Sequence, residues 1–193
     1  MINDEPLSVI AGLFQTEGTA GYPGSAVTLA AHMLQSAALA ERADAHDPLI
    51  AAALLHDVGH FAAVSGPDRP GGSENRHSER GARWLSQWFG AEVTEPVRLH
   101  VDAQRYLCTA IPGYLSRLPA AAACILDLQG GLMGMTELAE FESNPFAADA
   151  CRIRRWDEAA KKPGALTRSF DHFRPLLRSL VRPRSRTATQ PMS

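Results

Sequence analysis

LIAAALLHDVGH, Leu49 to His60, is a run of seven apolar residues that delivers an adjacent His56 and Asp57 and then His60. The run predicts a central helix from Pro48 to about His60, with Pro48 in its first turn and Asp47 as cap. On such a helix His56 and His60 lie one turn apart on one face. Asp57 lies about 100° round, close enough to reach a metal held by His56. An adjacent His and Asp can serve two metals, the imidazole binding one ion and the carboxylate bridging to the other. His32, His77, His100 and Asp157 stand at long spacings and could complete both sets of ligands. Imidazole and carboxylate without cysteine suit Fe, Mn, Zn or Mg better than a soft ion.

Working outward, helical signals surround this stretch on both sides. Leu7 to Phe14 is short and apolar, and Val27 to Ala43 is rich in Ala and Leu with apolar residues every three or four positions. The glycines and proline of Gly18 to Ala26 predict a loop that leaves Tyr22 exposed and mobile. Downstream, Val64 to Ser73 is a Pro/Gly loop, followed by a helix over roughly Glu74 to Phe89 with Trp84, Leu85 and Trp88 as its buried stripe. Thr94 is placed to cap the next helix, with Pro96 in its first turn. There Val97, His100, Val101 and Gln104 share a face directed at the core. Ile111 to Pro119 is a connector, and Ala120 to Leu128 is a helix stopped by Gly130 and Gly131. A short helix starts at Thr136, and the last long one runs from Pro145 to about Lys162, with Arg154 and Asp157 on one face. Taken singly, each candidate has an ordinary explanation: a core histidine at 32, a surface histidine at 77, an intrahelical ion pair between Arg154 and Asp157.

The pattern is all-α: a single compact helical domain of about eight helices over residues 1–180, then a basic tail, residues 181–193, expected to be disordered. A chain of 193 residues suffices for one full core. No apolar stretch reaches the ~18 residues of a membrane span. The acidic N-terminus does not read as a signal peptide, and three isolated cysteines suit a reducing cytoplasm. A formal charge of −2 gives no reason to expect nucleic acid as partner. Neither a phosphate-binding glycine loop nor a GxSxG nucleophile motif is present.

The segments LLHDVGH, RHSERGARWL, VTEPVRLHVDAQRYL, LDLQGGLM, FESNPFAADACRIRRWDEAAK and HFRPLL resemble the HD-domain superfamily, in particular its organophosphonate-cleaving branch of mixed-valent diiron oxygenases. The resemblance covers nearly the whole chain to about residue 180. It implies two iron ions, Fe(II)/Fe(III), held by His32, His56, Asp57, His77, His100 and Asp157, with Asp57 bridging. It implies a small 1-hydroxyphosphonate as substrate and dioxygen as co-substrate. The carbon–phosphorus bond is then cleaved to phosphate and a carboxylate. By the same resemblance Tyr22 is a lid that ligates one iron when substrate is absent, His60 interacts with that lid, and Arg154 lies near the charged end of the substrate.

Two departures bear on the substrate. Tyr22-Pro-Gly-Ser25 carries serine where the family commonly has an acid that meets an ammonium, and HVDAQRYL carries Gln104 where the family has a phosphonate-binding lysine. A neutral, smaller substituent is therefore expected in place of an amino group, unless Asp68 and Arg69 supply the missing acid and base. The alternative function is a metal-dependent HD phosphomonoesterase or nucleotidase, and a third class is a sensor without turnover. A cytoplasmic monomer or small homo-oligomer is expected.

Overall fold

The computed structural model describes residues 4–22, 26–65 and 76–183. Among them lie eleven α-helices and no strand: α1 (Glu5–Thr16), α2 (Leu29–Arg42), α3 (Asp47–Leu55), α4 (Ala62–Ser65), α5 (His77–Leu85), α6 (Ala91–Ala110), α7 (Tyr114–Arg117), α8 (Ala120–Leu128), α9 (Met135–Ser143), α10 (Ala147–Ala159) and α11 (Phe170–Leu180). A 3₁₀ turn, Val58–His60, follows α3. The expected count of about eight falls short because connectors at 62–65 and 114–117 each close a single helical turn.

α3 is the axis of the molecule. Every side chain from Leu49 to Leu55 is buried, as befits a helix that is apolar all round. α2, α6, α10 and α11 pack about it. Phe170, Phe173 and Leu177 form one buried stripe on α11, and Leu7, Ile10 and Phe14 of α1 join them in the same core. Phe14 and Phe170 stack obliquely with centroids 4.9 Å apart. The C-terminal helix is thus part of the bundle. The tail expected from residue 181 falls mostly on residues 184–193, outside the described residues.

Among the boundaries that differ from the sequence expectation, three bear on the site or on its caps. The central helix does not continue to His60. α3 ends at Leu55, His56 is its C-cap, and Asp57 turns the chain with φ −105° and ψ 12°. The cause is close packing of the turn against α5: a Cβ on Gly59 would collide with the carbonyl of His77, and Gly81 lies directly against Gly59. Secondly, α3 begins one residue earlier than expected, with His46 rather than Asp47 at the cap. Thirdly, α6 starts at Ala91 behind Gly90, so Thr94 is not its cap. The Thr94 hydroxyl bonds back to the Gly90 carbonyl, and Pro96 sits inside the helix at the cost of one backbone bond. Gly130 and Gly131, with φ of 105° and 70°, stop α8 as expected.

Candidate metal centre

Six segments meet at the C-terminal end of α3. His32 comes from the middle of α2, His56 and Asp57 from the end of α3, and His60 from the 3₁₀ turn. His77 opens α5, His100 lies midway along α6, and Arg154 and Asp157 face inward from α10. His32, His56, Asp57, His77, His100 and Asp157 are all buried. All six residues expected as ligands therefore reach one site.

They divide into two groups about Asp57. Its Oδ2 lies 3.4 Å from His32 Nε2 and 3.3 Å from His56 Nε2. Its Oδ1 lies 3.4 Å from His77 Nε2 and 3.6 Å from His100 Nε2. Asp157 Oδ1 approaches His32 Nε2 at 3.1 Å, placing this carboxylate with the first pair. Ligand atoms of His32, His56 and Asp57 lie within 4.8 Å of one another, and so do those of Asp57, His60 and His77. These are two His/Asp clusters capable of holding divalent metal ions.

The local chemistry fits cations. A carbonyl can only accept, so the ring nitrogens that meet carbonyls must donate. His32 Nδ1 donates to Ala160 (3.0 Å), His56 Nδ1 to Ala53 (2.9 Å) and His100 Nδ1 to Val97 (2.7 Å). In the neutral rings this turns the Nε2 lone pairs into the site, the usual orientation of metal-ligating histidines. His32 and His56 Nε2 face each other at 3.2 Å, and His77 and His100 Nε2 at 3.1 Å. Opposed lone pairs at that range repel unless a proton or a metal ion lies between them. Asp57 Oδ2 and Asp157 Oδ1 are buried and make no well-formed hydrogen bond; their near neighbours are the nitrogens of His32, His56 and Lys161, and a bound cation would satisfy them.

Charge and burial compete at each group. Burial disfavours a charged His32, but Asp157 and Asp57 outweigh it and raise its pKa to about 9. Burial alone would raise the pKa of Asp57, yet its histidine neighbours, His56 foremost, hold it well below the usual carboxylate range. Asp157 is likewise held low against the pull of burial, chiefly by Arg154. His100 and His60 are each pushed down to about 4 by burial. A protein without metal would thus carry a proton on His32, which an incoming divalent ion displaces.

The remaining expected residues surround a cavity of about 410 Å³ open to this centre. Tyr22 is not exposed as the loop composition suggested. Its ring lies over His32 with centroids 4.1 Å apart, and an antiparallel bridge between Gly21 and Thr28 holds the segment. Burial, and then the charges of Asp157 and Asp57, raise the pKa of its phenol well above normal. His60 stacks on His77 at 4.1 Å and its Nε2 lies 3.8 Å from Asp57 Oδ1, so it sits at the metal clusters themselves. Gln104 lines the cavity from α6. Arg154 pairs with Asp157 Oδ2 at 2.7 Å and with Glu158 Oε1 at 3.0 Å, while Tyr114 donates to the other oxygen of Glu158 at 2.7 Å. Ser25, Asp68 and Arg69 lie outside the described residues.

Sequence reasoning missed Lys161. Its ammonium lies 3.3 Å from Asp157 Oδ1 and 5.0 Å from the centroid of the Tyr22 ring, at the cavity wall. The signal was available: Lys161 follows Asp157 by four residues and Arg154 by seven, positions that share one helical face. The cavity wall made by α8 was also missed, because nothing local marks Pro119, Ala122 or Ile125 as facing the site.

An all-α bundle that gathers five histidines and two aspartates around the end of its central helix defines a helical metalloprotein. The chain belongs to the HD-domain family, whose model matches residues 29–128. It is 42% identical over 173 residues to a [1-hydroxy-2-(trimethylamino)ethyl]phosphonate dioxygenase (glycine-betaine-forming) of Leisingera caerulea, covering 89% of this chain and 88% of the relative. It is also 42% identical over 162 residues to a hydroxymethylphosphonate dioxygenase of Gimesia maris, covering 83% and 80%. An uncharacterized protein of Acanthamoeba polyphaga mimivirus is 30% identical over 174 residues, covering 89% and 80%. No helix among the described residues is long and apolar enough to cross a membrane.

Proposed function

We propose that this protein is a metal-dependent dioxygenase that cleaves the carbon–phosphorus bond of a small 1-hydroxyphosphonate. The observation that carries the proposal is the division of Asp57 between two histidine pairs beneath one cavity. The two dioxygenase relatives, each 42% identical, agree with it. His32, His56, Asp57 and Asp157 would hold one ion, and Asp57, His77 and His100 the other. We take both to be iron, because the proposed reaction consumes dioxygen. When bound, iron supplies the exchange of electrons between substrate and dioxygen.

The reaction closes without a further reductant. R–CH(OH)–PO₃²⁻ and O₂ give R–COO⁻, HPO₄²⁻ and H⁺. The carbon–phosphorus and carbon–hydrogen bonds break, and C1 becomes a carboxylate carbon as phosphorus takes a fourth oxygen. The four electrons lost by the substrate are those that O₂ accepts.

The protein's own side chains provide the setting. Arg154 and Lys161 line the cavity beside Asp157 and are, among the described residues, the lysine and arginine available to the phosphonate. Asp157 and Glu158 hold the Arg154 guanidinium in place, so little rotamer freedom remains to be lost on binding. Tyr22 covers His32 and excludes water from the first ligand cluster. Its raised pKa keeps the phenol protonated in the cation-free site. His60, stacked on His77, fixes the ring plane of that histidine.

The iron-loaded protein, given hydroxymethylphosphonate, is expected to release phosphate in air and none under strict anaerobiosis, with one O₂ consumed per phosphate. Equal phosphate release with and without O₂ would establish the phosphomonoesterase-type hydrolase instead.

A further inference from the structure

The substituent on C1 is where the relatives differ. One acts on a trimethylamino-substituted compound and the other on hydroxymethylphosphonate, and both are 42% identical to this chain. Overall similarity therefore does not choose between a large cation and no substituent. The cavity wall does. One stretch of it carries charged groups: Arg154, Lys161 and the carboxylates they hold. Another stretch of the wall is α8 and the residue before it, which present Pro119, Ala122, Cys124 and Ile125, with the neutral amides of Gln104 and Gln129 at its edges. Among the described residues this stretch carries neither acid nor aromatic ring, the two groups that recognise ammonium and quaternary ammonium ions. The remaining lining carboxylates, Asp57 and Asp157, are already engaged by histidines, and Asp157 by Arg154 and Lys161. Tyr22 offers a ring, but the Lys161 ammonium already lies over it.

Size points the same way. At about 30 Å³ per water, a cavity of about 410 Å³, which includes the space the ions would take, has room for on the order of a dozen waters. Hydroxymethylphosphonate would leave much of that space, and the apolar wall, in contact with water. The cavity therefore favours a larger substituent than the sequence suggested, and a neutral one.

We propose that the substrate is a 1-hydroxyalkylphosphonate whose uncharged alkyl chain of several carbons lies against α8, on Pro119, Ala122 and Ile125. This rests on the phosphonate-dioxygenase function proposed above and names its substrate class. The phosphonate end meets Arg154 and Lys161, and the chain covers the apolar stretch, so the two ends of the molecule match the two stretches of the wall.

The test is kcat/KM of the iron-loaded full-length protein across 1-hydroxyphosphonates with hydrogen, methyl, propyl and pentyl substituents. Two further compounds are the trimethylammonio compound and its neutral isostere, in which a carbon replaces the quaternary nitrogen. The expected result is a rise of about fourfold per methylene until the cavity is full. The neutral isostere is expected to exceed the trimethylammonio compound by at least about tenfold, the cost of leaving a desolvated cation unpaired. Ile125→Asn should lower the pentyl-to-hydrogen ratio by about tenfold or more. A series that is flat or falls with chain length, or a charged compound better than its isostere, overturns the alkyl proposal and leaves the dioxygenase function standing. No oxygen-dependent phosphate release from any member overturns both.

Discussion

Asp57 is the residue that both metal clusters share. Each of its oxygens faces a different pair of histidine Nε2 atoms, so removing the carboxylate should disturb both ions, whereas removing His77 should disturb one. In purified Asp57→Ala, elemental analysis is expected to find well under one metal per chain. His77→Ala is expected to retain close to one, and equal losses in the two variants would contradict the bridging role. A second residue-scale prediction concerns Glu158, which holds Arg154 from one side while Tyr114 anchors it from the other. Glu158→Gln leaves a neutral partner of the same shape. It should raise KM for a phosphonate by about three- to tenfold, the worth of about one charge-assisted hydrogen bond, with kcat changed less. A fall in kcat at unchanged KM would show that Glu158 does not act through ground-state binding. At this scale much was legible in the chain. The six residues that meet at the site followed from the adjacent His and Asp together with the resemblance. Lys161 did not enter, although its spacing from Arg154 and Asp157 could be read: it lies just past the end of α10, where a lysine ordinarily faces solvent.

The break after α3 governs the site at the scale of elements. A helix continuing to His60 would carry Asp57 about 100° away from His56. The turn at Asp57 instead brings both side chains, and His60, over the ends of α2, α5 and α6. The apolar run made α3 legible. The break was not, because its cause is non-local: Gly59 is pressed against the His77 carbonyl and Gly81 of α5. Gly59→Ala should therefore destabilise by about 1–3 kcal/mol through overpacking. At roughly 2–4 °C per kcal/mol for a chain of this size, a thermal melt should fall by several degrees. Gly131→Ala makes a useful comparison, since that position has open space around it and only its φ of 70° to strain. A melt unchanged in Gly59→Ala would refute the packing explanation of the break.

For the whole molecule, the core that surrounds α3 is what makes the ligand set rigid. Leu54 and Leu55 precede the ligands and are fully buried, and Met33 follows His32 in the same core. The expectation of an all-α bundle followed directly from periodicity. The arginines that run from residue 174 toward the expected tail, by contrast, mark no loss of order before residue 181. Arg178 is in fact paired with Asp4 at 2.9 Å, and Phe173 and Leu177 beside it are buried. Arginine counts report charge and not burial, and an amphipathic helix can carry both. The bundle thus encloses two His/Asp clusters beneath one cavity with cations on one stretch of its wall and apolar residues on another. The central claim is that this arrangement oxidises a 1-hydroxyphosphonate with dioxygen. The most direct measurement is turnover of the iron-loaded protein under ¹⁸O₂ in unlabelled water, with mass analysis of the phosphate and carboxylate formed. Label from ¹⁸O₂ in the products is the expected result. Phosphate released without any label from ¹⁸O₂, and labelled only when the water carries ¹⁸O, would contradict it.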